Sequence, residues 1–125
     1  MNLLVDIQSY LISKGIIQGD GIDCFRDVLP EAPDNIVALL EYEGVTEFVA
    51  NRSVQVLVRH TDYELGRQKC LEIFHLVENP YSPITEITPQ RWAILKARQP
   101  AFKLKTDNQN RTVWAFNLSA VTYND

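Results

Sequence analysis

Between Ile36 and Val77 the spacing of apolar positions changes twice, and the rest of the chain is read around that stretch. Ile36-Val-Ala-Leu-Leu-Glu-Tyr-Glu43 opens with five apolar residues in a row, which predicts a strand covered on both faces. Ser53-Val-Gln-Val-Leu-Val-Arg-His60 alternates. Val54, Val56 and Val58 take one side of a strand; Gln55, Leu57 and Arg59 take the other. From Tyr63 the period becomes helical, with Tyr63, Gly66, Cys70, Phe74 and Val77 on one face. Thr61-Asp-Tyr-Glu64 matches a capping box, with Thr61 as N-cap and Glu64 reaching back. Asn79-Pro80 ends the helix.

Upstream, Leu4, Ile7 and Leu11 mark a first helix, with Asn2 as its cap and Gly15 as its C′ residue. Ile22 to Leu29 alternates loosely and predicts a strand near a sheet edge, because charges interrupt it. The link Gly44 to Arg52 exceeds a tight hairpin, and Phe48 and Val49 suggest that part of it is anchored. Downstream, Asn79 to Pro89 carries three prolines and reads as a loop with a short strand at Thr85 to Ile87. Ala101-Phe-Lys-Leu-Lys105 predicts a strand with Phe102 and Leu104 inward and Lys103 and Lys105 outward. The Asx-rich turn Thr106 to Arg111 joins it to a second strand bearing Trp114, Phe116 and Leu118 on one face. The expected class is α+β: a single domain over 1–125, mainly an antiparallel sheet with the N-terminal helix and one central helix packed on it.

Composition adds little chemistry. The hydrophobic share is 46% and the formal net charge is −4, with no basic footprint of the DNA-binding kind. The N-terminus has neither a basic leader nor a long apolar stretch, so no signal peptide or membrane span is expected. Cys24 and Cys70 lack metal or redox spacing and read as buried thiols. The triplets at Asn51, Asn110 and Asn117 read as chance glycosylation matches. His60 and His75 have no partner visible in the sequence. Glu41 and Glu43 on one strand read as a solvated edge, and Tyr63 with Arg67 as a polar contact on the helix. No phosphate-binding, dinucleotide, hydrolase or zinc motif occurs, so no enzyme, cofactor or metal is expected.

Charge is unevenly spread. The first half carries Asp20, Asp23, Asp27, Glu31, Asp34, Glu41, Glu43 and Glu47, while the last third carries most of the basic residues. Two such faces can complement each other between neighbouring copies and close into a ring. Lys103, Lys105, Asp107 and Arg111 on the hairpin are the interface candidates, on exposure and charge alone. A competing reading stacks single-stranded nucleic acid on Trp92, Phe102, Trp114, Phe116 and Tyr123, with Lys96, Arg98, Lys103, Lys105 and Arg111 supplying charge. The inward strand positions of Phe102, Trp114 and Phe116 favour core instead.

The order of pieces resembles a known family. A short N-terminal helix precedes the Ile36–Glu43 strand. Ser53-Val-Gln-Val-Leu-Val-Arg59 then runs into Tyr63-Glu-Leu-Gly-Arg-Gln-Lys-Cys-Leu-Glu-Ile-Phe-His-Leu76. Gln99-Pro100 and the strand Val113-Trp-Ala-Phe-Asn-Leu118 follow. Nearly the whole chain resembles the tail-terminator proteins of long-tailed bacteriophages, often labelled minor capsid proteins. The resemblance implies a small α+β subunit that assembles with copies of itself as a ring, a hexamer, at the head-proximal end of the tail in the virion. Such a ring stops polymerisation of the major tail tube protein and offers a surface to a head-completion or connector protein. It implies no catalytic residue. A head–tail connector or neck protein is the nearest alternative, separable by which partner the chain captures.

Overall fold

The stripe of Leu4, Ile7 and Leu11 forms helix α1 (Leu3–Ser13) in the computed structural model, which describes residues 3–45, 49–78, 84–88 and 91–123. Its end is a Schellman motif. Gly15 sits at φ 73°, its N–H bonds Ile12 O, and the Ile16 N–H bonds Leu11 O. The expected cap Asn2 lies outside the described residues.

Among the described residues seven strands form one sheet: β1 (Cys24–Arg26), β2 (Ile36–Val45), β3 (Val49–His60), β4 (Ile84–Thr88), β5 (Arg91–Ala97), β6 (Phe102–Thr106) and β7 (Thr112–Tyr123). The order is β1-β2-β3-β7-β5-β4, with β6 pairing β7 beside the end that β5 leaves free. Only β1–β2 is parallel; the other pairs are antiparallel, so the α+β reading holds. The strand predicted over Ile22 to Leu29 is cut to three residues. Asp27 at φ 65° turns the chain out of the sheet, and its N–H closes on Leu39 O.

Helix α2 (Tyr63–Val77) follows β3 and packs across β3, β7 and β5. Its buried line is Gly66, Cys70, Ile73 and Val77. Tyr63 is half-exposed at the margin, its ring edge-on to Trp114 at 5.0 Å. The N-cap is Asp62, not Thr61. The Asp62 carboxylate accepts the Leu65 N–H at 2.9 Å, while Thr61 turns its own N–H to Asn35 Oδ1. Gly66 has a steric role: a Cβ there would stand 2.8 Å from His60 Cβ and 3.2 Å from Trp114 Cδ1. The glycine lets the helix approach the sheet closely.

The alternation in β3 sorts its residues as expected. Val54, Val56 and Val58 join Val37, Leu39, Phe116, Leu118, Ile73 and the α1 stripe in the main core under the helices. Leu57 lies on the opposite face in a smaller cluster with Ala38, Val113 and Ala115, edged by Leu29, Leu40 and Phe102. One face of the sheet therefore carries both helices. The other carries a small apolar patch beneath the segment that returns from β1. Cys24 and Cys70 are free and fully buried, and burial pushes their thiols up to about 11 and about 12.

Candidate assembly surfaces

The four hairpin candidates divide into two kinds. Lys103 and Lys105 are exposed on β6. Arg111 is not: its side chain is 3% exposed, and its charge is used inside the chain. The guanidinium donates to Asp107 Oδ2 at 2.8 Å, to the Glu31 carbonyl at 2.6 Å and to Asp34 Oδ1 at 3.1 Å. Arg59, also buried, donates to the Pro33 and Asp34 carbonyls beside it. Two arginines thus clamp the acidic segment 31–34 onto the end of the sheet. Arg111, expected to be exposed, is therefore buried and its charge is spent inside the subunit, while Glu31 and Asp34 stay largely open to solvent. Asp107 closes the β6–β7 turn by accepting the Arg111 and Gln109 backbone N–H groups. These bonds, with the Arg111 guanidinium, hold its carboxyl below the usual range.

Pairing of β6 with β7 also departs from strict alternation. Phe102 opposes Ala115, Lys103 opposes Trp114, and the register then shifts so that Lys105 opposes Val113. Leu104 occupies the bulge and is 43% exposed rather than inward. Opposed residues share a face. Lys103 therefore lies on the helix side, its Nζ 5.8 Å from the Tyr63 ring centroid, and Lys105 lies on the other side.

The charge at the far edge of the sheet is different. Asp20 bridges Gln8 and Arg26, and Asp23 holds the Gln18 and Gly19 N–H groups. The Asp27 carboxylate has no polar partner among the described residues. It lines a groove of about 510 Å³ with Leu40, Glu41, Tyr42, Gln55 and Asn117. Ile22 and Val28 flank this edge and are 58% and 52% exposed.

The remaining chemical candidates are structural. Glu41 pairs across strands with Arg52 through both carboxylate oxygens; the Glu43 side chain lies outside the described residues. His60 Nδ1 accepts the Asp62 N–H at 2.8 Å. A cleft of about 270 Å³ runs beside His60, but Lys69, which borders it, donates to the Ile16 carbonyl at 2.7 Å. Trp114 and Phe116 are buried and Phe102 is half-buried, so these rings offer no platform for bases. The long link read over Gly44 to Arg52 is largely strand, with Gly44 paired to Arg52 and Val45 to Asn51; the side chains of Trp92 and Tyr123, and Phe48, lie outside the described residues. Among the described residues no three metal-capable side chains gather, and no helix is long and apolar enough to cross a membrane.

The family profile described as bacteriophage tail terminator protein matches residues 10–124. No curated protein matches the chain.

Proposed function

This chain belongs to the bacteriophage tail terminator family and is a structural protein of the phage tail; from that premise we propose that it acts as a closed, hexameric ring. The ring seats on the last tier of tail tube protein, ends polymerisation and offers the head-completion or connector protein its docking surface. The work is physical. A growing tube needs each tier to present the surface that the previous tier presented. A terminator fits the tube on one side and withholds that surface on the other.

The family match across residues 10–124 carries this reading. Support comes from two unlike borders of the sheet, the exposed lysines of β6 and the carboxylates around β1, the kind of unlike patches a head-to-tail contact joins. His60, Lys69 and Glu41 at the clefts are tied into internal hydrogen bonds, which suits an assembly role better than turnover of a small substrate. Burial of Trp114 and Phe116 takes two of the five rings from the nucleic-acid reading.

Light scattering on the purified chain over rising concentration tests the ring. A plateau at the mass of a small closed oligomer is expected. A single monomer mass across the range, with and without tail tube protein, overturns the reading.

A further inference from the structure

Resting on the ring reading above, we propose that neighbouring copies join edge to edge: the β6 edge of one copy seats on the β1 edge, Asp20 to Val28, of the next. Strand β6 pairs β7 on one flank and no described strand on the other. Its bulge sends Lys103 to the helix side and Lys105 to the opposite side, with the exposed Leu104 between them. A bulge and two lysines are also what blunts an edge against main-chain pairing. The contact is therefore made by side chains, not by an added strand.

The β1 edge carries the complement. Asp20 is paired with Arg26 and Asp23 with the Gln18 and Gly19 N–H groups, so Asp27, followed by the exposed Val28, is the carboxylate of this edge left for a neighbour. Asp27 has no polar partner among the described residues, and it stands at the mouth of a groove that runs over the open face of the sheet past Leu40 and Gln55 to Asn117. An apolar side chain between two ammonium groups on one edge thus matches the exposed Ile22 and Val28 near the Asp27 carboxylate on the other. The two edges are separated by β2, β3 and β7, roughly 19 Å at the usual strand spacing of about 4.8 Å. A contact between unlike patches on opposite sides of a subunit is head-to-tail, the kind that propagates and closes into a ring. Two β6 edges facing each other would set lysine against lysine, which disfavours a two-fold dimer there. Both halves of the match lie on this one chain, which selects a second copy as the occupant.

Two charge-reversed full-length variants test this. Lys103→Asp with Lys105→Asp makes both edges acidic; Asp27→Lys with Val28→Lys makes both basic. Each alone should show an apparent dissociation constant raised roughly tenfold or more, and should run as monomer where the wild type is a ring. An equimolar mixture should recover the wild-type mass, because each acidic edge then meets a basic one. Matching circular dichroism melts establish that both variants fold. If the wild type forms a ring and either variant alone keeps it, this interface is wrong while the ring reading stands. The same holds if a variant keeps its ring and loses only tail tube protein. Monomeric variants that fail to recover on mixing also overturn the proposal. A wild type that never self-associates removes both readings.

Discussion

Arg111 Nη1 lies 3.1 Å from Asp34 Oδ1, joining residues 77 apart in sequence across the end of the sheet. The same guanidinium holds Asp107 and the Glu31 carbonyl, so one side chain fixes the β6–β7 turn and the 31–34 segment together. Arg111→Lys keeps the charge but loses the planar fork. It should lower the melting temperature and speed amide exchange at residues 107–111, the N–H groups of this turn. Unchanged melting and exchange would show that the clamp contributes nothing.

The turn should also mark the stability curve against pH. The Asp107 carboxyl sits below its ordinary value, chiefly through the Arg111 backbone N–H. A depressed folded value adds stability that is fully present above the unfolded value, near 4. It is lost as pH falls through the lower folded value. Melts from pH 7 to pH 2 should therefore show a decline below about pH 4 that is smaller in Asp107→Asn. Equal slopes in both proteins would contradict this assignment.

Gly66 should tolerate no side chain. Alanine normally improves a helix interior, but its Cβ would meet His60 Cβ at 2.8 Å, so α2 would have to move off the sheet. Gly66→Ala is expected to destabilise by about 1–3 kcal/mol in urea unfolding. A gain in stability would mean that the helix sits farther from β3 and β7.

The cap of α2 gives a comparison between adjacent residues. Asp62→Ala should cost about 1 kcal/mol, the usual loss for an N-cap. Thr61→Ala should cost less, because alanine keeps the backbone N–H bond to Asn35 and loses only the exposed Oγ1 contact at 3.3 Å. The reverse order would restore Thr61 as the cap.

These residues also mark how far the sequence could be read. The valine alternation of β3, the inward Trp114, Phe116 and Leu118, and the Gly15 cap depend on near neighbours, and each is found as expected. Thr61 and Asp62 are both competent caps, and the choice falls to Asn35, 26 residues away, which takes the Thr61 N–H. The bulge at Leu104 belongs to the pairing with β7 and leaves no mark in the alternation of β6 alone. Arg111 reads as a surface charge until Glu31 and Asp34 are brought to it by the fold. The exposure of Lys103 and Lys105 was thus legible, and which charges are already spent inside the subunit was not.

The most direct test is tube length. Tail tube protein polymerised in vitro, with this chain added partway, should stop lengthening in electron micrographs, each tube carrying a ring of this chain at one end. Tubes that continue to grow at the same rate and carry no such ring would contradict the account.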